Sequence, residues 1–432
     1  MRAPKLIGSI AIASLLALSA CSSGDSNSST TSAPPADTSS AAQSEPAAGG
    51  DQITLTISFW DPNYEPGFQA AIDLFEQANP NVTVQYTTTP SSDYWTTVQT
   101  QIGAGAGFDV FAMNAPQFPT YAANGALLPL TGLFDTSNYP QATIDIVTWD
   151  GEVYGVPNNY DTIGVYYNKR LFDLAGVEYP TAGWTWDDFK NAVAKTTGIE
   201  DGVYGTASAP YGQMTYYNTI LQAGGYLFTQ TDNGFGTQGA IDGVKLWTDF
   251  IDEGYSPTLQ QITDTWPGDS FGDGKLAMFW DGSWGAKTYA ESAQGEYIDV
   301  APMPMGSAND HCVLNGISFV VNKNTPNADA AKALAVFMGS KEAAEILATY
   351  GVAIPSYNGT QQAWVDALPS MDAQVLIDAA ATADPYPVAP LREMGYGTIE
   401  GDAITAIFGR TADPATAMPE MAAALQAVID SE

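Results

Sequence analysis

Ile53-Thr-Leu-Thr-Ile-Ser-Phe-Trp60, Val82-Thr-Val-Gln-Tyr86 and Phe108-Asp-Val-Phe-Ala112 are the three segments whose reading decides the fold. Each is rich in β-branched or aromatic residues, and the first alternates as a strand does. Between the first two, Pro66 opens a helical pattern carrying Phe68, Ile72 and Phe75, and Asn79-Pro80 stops it. Between the second and third, Tyr94, Val98 and Ile102 share one face of a helix over 92–103. Strand, helix, strand, helix, strand implies right-handed crossovers and a parallel sheet, so the chain opens as an α/β protein.

The same grammar returns downstream. Thr162-Ile-Gly-Val-Tyr-Tyr167 reads as a strand, and Thr185-Trp-Asp-Asp188 caps a helix running to about Lys195. Trp184 and Trp186 flank that start and are expected to staple it. Further helices are expected over 213–223, 239–253, 328–338, 340–349 and 414–430. In the second of these, 239–253, Val244, Trp247 and Ile251 lie on one apolar face. In the last, Asp413 caps, Pro414 takes the first helical position, and Met421, Leu425 and Val428 form the apolar face. No fixed-period repeat is visible.

Upstream of Ile53 the chain changes character. Arg2 and Lys5 precede an apolar run over 6–18, too short to span a bilayer comfortably, and Leu18-Ser-Ala-Cys21 resembles a lipobox. The expectation is a signal peptide over 1–20 and a lipoprotein whose Cys21 carries acyl chains such as palmitate. Two or more chains are needed for a stable anchor. Residues 21–50 hold no large apolar side chain after Cys21, so they read as a disordered tether. As a random coil the tether would reach about 30 Å.

The chain has 432 residues with 48 acids against 14 Lys and Arg, a net charge of −34. That excludes nucleic acid and anionic lipid as partners and disfavours an anionic substrate. The body of about 380 residues after the tether suits two lobes better than one core. No second run is long enough to cross a membrane. With Cys21 lipidated, Cys312 has no partner for an intramolecular disulfide.

Seven ordered motifs carry a resemblance. They are Ala78-Asn-Pro-Asn-Val82; Asp93-Tyr-Trp with Gly107-Phe-Asp-Val-Phe111; Tyr121-Ala-Ala-Asn-Gly125; and Gly151-Glu-Val-Tyr-Gly-Val-Pro157. Then come Val165-Tyr-Tyr-Asn-Lys169 with Leu171-Phe172, Gly274-Lys-Leu-Ala-Met-Phe-Trp-Asp-Gly-Ser-Trp284, and Phe337-Met-Gly-Ser-Lys-Glu342. In order and spacing they resemble the family-1 solute-binding proteins, extracellular sugar-binding subunits of ATP-driven importers related to maltose-binding protein. Phe108 departs from the pattern, since many relatives have Pro before Asp-Val. The resemblance implies the class II periplasmic-binding-protein-like fold: two α/β lobes with the ligand in the cleft between them. It implies crossings near Thr162, near Asn315-Gly316 and after about Tyr357. Lobe 1 is then 51–162 plus 316–360, and lobe 2 is 163–315 plus 361–432. It also implies a sugar ligand, a membrane permease as docking partner, a monomer held at the outer face of the cell membrane, and no cofactor, metal or catalytic residue.

A buried sugar needs donors and acceptors for its hydroxyls and aromatic faces for its apolar C–H faces. Trp284 is the first candidate, because relatives stack a sugar on a Trp at this place. Trp60 and Asp61 end the first strand, at the carboxyl edge that faces a cleft in parallel sheets; Asp61 reads equally well as a cap. Asn63 shares that loop. Met113 and Asn114 end the third strand by the same logic. Tyr160 and Asp161 stand at the inferred hinge. Tyr216 and Tyr217, with Tyr211, surround a helix start. Asn315, Tyr357, Arg392 and Tyr396 complete the set, with Arg392 reading either as a fork for vicinal hydroxyls or as an ion-pair partner.

Other chemistry finds less support. His311 beside Cys312 falls short of a zinc ligand set. Asp264, Asp269 and Asp273 lack a calcium-loop pattern. Gly103-Ala-Gly-Ala-Gly107 precedes a strand and lacks the Lys of a phosphate loop. Two alternatives stay open: a secreted glycoside hydrolase, which needs only two well-spaced carboxylates, and the same fold binding a non-sugar solute.

Overall fold

The computed structural model describes residues 51–229, 231–388 and 396–431. The expected signal peptide, Cys21, the tether and Arg392 lie outside the described residues, as does the side chain of Tyr396.

Twelve strands are present among the described residues: β1 Ile53–Phe59, β2 Val82–Thr88, β3 Val110–Asn114, β4 Thr148–Trp149, β5 Glu152–Val153, β6 Gly155–Asp161, β7 Ile163–Asn168, β8 Met278–Gly282, β9 Ile298–Ala301, β10 Val313–Val321, β11 Ile354–Pro355 and β12 Asp384–Pro385. The β1-helix-β2-helix-β3 reading holds. β1 pairs in parallel with β2 from Ile53↔Val82 to Phe59↔Thr88, and with β3 at Ile57↔Val110. Leu55, Ile57 and Phe59 are buried along β1, and the helix Glu65–Ala78 covers them with Phe68, Ala71, Ile72 and Phe75. Its end is set where expected: the Asn79 side-chain amide donates to the Phe75 carbonyl at 2.9 Å.

The third strand starts two residues later than the sequence suggests. Asp109 is occupied as an acceptor, taking the Thr56 N–H at 2.8 Å and the Thr56 hydroxyl at 2.9 Å. The sheet is mixed rather than purely parallel. Its order is β11-β6-β10-β3-β1-β2, with β12 alongside β10, and β10 runs antiparallel to both β3 and β6. β6 and β10 are buried at every residue, as strands covered on both faces are.

The second sheet does not repeat the parallel grammar. It has three strands, β8-β7-β9, all antiparallel. Two segments join the sheets. β6 ends at Asp161, and after Thr162 the chain enters the second sheet as β7. β10 pairs β12 at Val313 and Leu314, then β6 from Asn315 onward. Downstream, the helix Gln362–Asp366 packs on Lys341–Thr349 in the first half, whereas Gln374–Ala379 packs on β7. The Thr162 hydroxyl donates to the Leu376 carbonyl at 2.5 Å.

Around the second sheet the expected helices appear as Trp186–Thr196, Gln238–Asp252 and Pro414–Ile429. Thr185 and Asp188 form a reciprocal capping box, and Trp184 meets Phe189 edge-on at 5.8 Å. That pair is the staple, one residue before the cap against the fourth helical position. Trp186 instead donates its indole N–H to Gln222 at 2.8 Å. Trp247 is fully buried against Trp280 and Phe250. The helix expected from 213 begins at Tyr216, because the Thr215 hydroxyl turns back to the Ala209 and Tyr211 carbonyls. No described helix is long and apolar enough to cross a membrane.

Candidate ligand-binding site

Four strand ends converge. β1 and β3 end at Phe59 and Asn114, β6 ends at Asp161, and β10 brings Asn315 opposite Asp161. A cavity of about 430 Å³ opens there, walled by Trp60, Asp61, Tyr64, Trp95, Asn114, Asp161, Gln213, Trp284 and Asn315. Its volume lies within the range of small-molecule sites.

Trp60 is half-buried and stacks on Phe59 at 4.5 Å and 14°, with Tyr94 edge-on at 5.1 Å. Tyr94 donates its hydroxyl to the Ala112 carbonyl at 2.9 Å, which locks the helix Ser91–Gly103 to β3 and sets Trp95 at the rim. Asp61 meets both of its readings. It caps the turn Pro62–Tyr64 by accepting the Asn63 N–H at 2.9 Å, and it lines the cavity. Burial pushes its carboxyl upward against the lowering effect of that N–H.

Asp161 is buried on the cavity wall and accepts the Ser283 hydroxyl at 2.9 Å. Burial, with the charge of Asp61 as a smaller contribution, raises its carboxyl from 3.8 to about 7. Asn315 accepts the Gly316 N–H at 2.9 Å and donates to the Gln213 side-chain carbonyl at 3.2 Å. The Gln213 amide nitrogen is then buried with no hydrogen-bond partner in the protein. An unmade buried donor is costly to the folded chain.

Trp284 and Gln213 also wall a second cavity of about 390 Å³, so Trp284 stands between two chambers. There Tyr216 and Tyr217 both donate their hydroxyls to Glu400 Oε1 at 2.8 Å. Burial raises the Glu400 carboxyl above its ordinary range.

Of the sequence candidates, Trp60, Asp61, Asn114, Asp161, Trp284 and Asn315 meet in the first chamber, and Tyr216 and Tyr217 stand in the second. Four do not join them. Met113 and Tyr160 precede Asn114 and Asp161, and successive strand residues face opposite ways. Both are buried in the first hydrophobic core. Asn63 is exposed and acts through its backbone. Tyr357 packs edge-on against Tyr139 at 5.5 Å, away from both chambers. Arg392 lies outside the described residues. Tyr396 opens the helix Tyr396–Phe408.

Sequence reasoning missed Tyr64, Gln213 and Glu400. Trp95 sat inside a quoted motif without a role. Its position directly after the core-facing Tyr94 was the available signal. Gln213 and Glu400 carried none, since their partners are distant in the chain.

A model for bacterial extracellular solute-binding proteins matches residues 61–345. The chain belongs to this family. An ABC substrate-binding protein of Listeria monocytogenes, solved with cycloalternan, aligns with a TM-score of 0.81 at 25% identity, over 88% of this chain and 100% of that one. The GacH receptor of Streptomyces glaucescens GLA.O, solved unliganded and with acarbose, aligns with a TM-score of 0.78 at 22% identity, over 88% and 99%; at that identity the likeness bears on the fold alone. The fold is thus the two-lobed one of sugar-binding proteins. In sequence, the galactooligosaccharide-binding protein of Bacillus subtilis (strain 168) is 23% identical over 69% of this chain and 72% of its own length. A putative binding protein of Brucella abortus (strain 2308) is 25% identical over 60% of this chain, which spans 65% of that relative's length.

Proposed function

We propose that this chain is the substrate-binding subunit of an ATP-driven sugar importer, capturing a mono- or oligosaccharide between its lobes and delivering it to a membrane permease. The observation that carries the reading is the two-chambered cavity. Aromatic faces at Trp60, Trp95 and Trp284 accompany the hydrogen-bonding groups of Asp61, Asn114, Asp161, Gln213 and Asn315. Aromatic faces suit the C–H side of a sugar, and the polar groups replace its water. Relatives named for galactooligosaccharide and maltodextrin binding, and a neighbour holding cycloalternan, support the class.

In this reading β6–β7 and β10 are the crossing strands, and hinge bending at Thr162 and Val313–Asn315 closes the lobes over the sugar. The packing of Gln362–Asp366 on Lys341–Thr349 supports assigning that helix to lobe 1 as well. The protein binds and releases its ligand unchanged; the cleft carboxylates accept hydroxyl protons and perform no hydrolysis. It is a monomer, held at the outer face of the cell membrane by lipid on Cys21. The tether keeps the trap near its permease and raises the local concentration for docking.

A thermal-shift screen of saccharides and polyols, followed by calorimetry, tests the function, since a ligand of the folded state raises apparent stability. At least one sugar is expected to stabilise the protein and to be recovered intact. Sustained hydrolysis of the bound sugar would overturn the reading in favour of a glycosidase. Cys21→Ala is expected to release the chain into the medium.

A further inference from the structure

The loop that carries Trp284 is Asp281-Gly-Ser-Trp-Gly285, and its small residues have specific reasons. A Cβ on Gly282 would lie 2.0–2.3 Å from the six-membered ring of Trp284, so the indole rests directly against that glycine. A Cβ on Gly285 would lie 2.8 Å from Asp281 Oδ2 and 2.5 Å from the Tyr289 ring. The two glycines therefore admit two side-chain packings: Trp284 onto the loop, and Tyr289 onto Asp281.

Asp281 is buried behind the loop and outside both chambers. The Tyr289 hydroxyl donates to its Oδ2, and the Gly282 N–H donates to its Oδ1 at 2.8 Å. Asp281 thus fixes the Gly282 backbone from behind, and it is on Gly282 that the Trp284 ring rests. At its other end the loop is clipped to the crossing strand. Ser283 gives its hydroxyl to Asp161 at 2.9 Å and its N–H to the Thr162 carbonyl at 3.0 Å.

We propose that Asp281 is a positioning residue for the cleft, fixing the Gly282 backbone against which the Trp284 ring rests so that the ring faces both chambers. The inference rests on the reading of Trp284 as a ligand platform.

The hold is proton-sensitive. The groups facing Asp281 are Asp161 at the end of β6, Tyr166 on β7 and Tyr289 on the helix Ala286–Ala290, with Asp269 of Pro267–Gly272 acting on Tyr289. None of these is a cation. Burial raises the Asp281 carboxyl to about 7, opposed first by the Tyr289 hydroxyl. Above that pH the carboxylate accepts from both donors, the Gly282 N–H and the Tyr289 hydroxyl. Below it the added proton occupies an oxygen and loosens the hold on Gly282, and with it the seat of the Trp284 ring.

The test uses the full-length chain labelled with 5-fluorotryptophan and followed by ¹⁹F NMR from pH 5.5 to 8.5, with the Trp284 signal assigned by its loss in Trp284→Phe. Because Asp161 is also raised to about 7 and holds Ser283 beside Trp284, the comparison is made in an Asp161→Asn background, where the signal is expected to titrate near neutrality and to stay still once Asp281→Asn is added. In Tyr289→Phe its midpoint is expected to rise, because the strongest donor to the carboxylate is gone. Tyr289→Phe also keeps the test open if Asp281→Asn fails to fold. A signal indifferent to pH, or one titrating alike in Asp281→Asn or Tyr289→Phe, overturns the proposal. Trp284→Ala with unchanged sugar affinity would instead overturn the platform reading and leave the ¹⁹F result standing.

Discussion

Trp284 divides the two chambers, so its removal tests the site most directly. Trp284→Ala is expected to weaken the affinity for the sugar found by screening by about 1–3 kcal/mol, combining lost burial and lost stacking; calorimetry reads this. The cleft acids predict an unusual pH response. The carboxyls of Asp161 and Asp281 rise from 3.8 to about 7 on folding, chiefly by burial. Between those values the native chain keeps protons that the unfolded chain has lost. Their contribution to stability is thus fully present below about pH 4 and is lost as pH rises through about 7. The melting temperature measured from pH 4.5 to 8 is expected to fall with rising pH. Asp281→Asn should flatten that slope; an unchanged slope would deny the raised carboxyl.

Among the elements, β7 is closely packed on one face at Gly164. A Cβ on Gly164 would lie 2.8 Å from both Leu376 Cδ2 and Val300 Cγ2, where the helix Gln374–Ala379 and β9 close on the strand. Gly164→Ala is expected to cost about 1–3 kcal/mol by overpacking, seen as a lower urea midpoint with an unchanged slope. The helix Trp186–Thr196 depends on its start instead. Thr185→Ala removes the acceptor for the Asp188 N–H and should cost about 0.5–2 kcal/mol in the same measurement. Both substitutions lie outside the chambers, so sugar affinity at saturating folded protein should change little.

At the scale of the whole molecule, the hinge proposed at β6–β7 and β10 predicts that the two lobes move as bodies. Adding the sugar is expected to reduce the radius of gyration in solution scattering, and no change would argue for a rigid site. The net charge of −34 opposes compaction through self-repulsion. Salt shortens its reach to about 8 Å at physiological strength, so the melting temperature should rise between low and moderate salt.

The sequence by itself determined what depends on neighbours along the chain. The β1–β3 unit, the capping box at Thr185 and the helix opened by Asp413-Pro414 were legible, because periodicity and capping are local. So was the place of Trp60, Asn114 and Trp284, at or just beyond strand ends. Which of Tyr160 and Asp161, or of Met113 and Asn114, lines the cavity was not legible. Alternation gives opposite faces, and only the packed sheet says which face is wet. The tertiary structure alone joined Asn315 to Gln213 across 102 residues and Glu400 to Tyr216 across 184. It also paired β10 antiparallel beside a parallel ladder. Hydrogen bonds between distant segments leave no periodic trace in sequence, because they are fixed by the register of elements that meet only after the chain has folded.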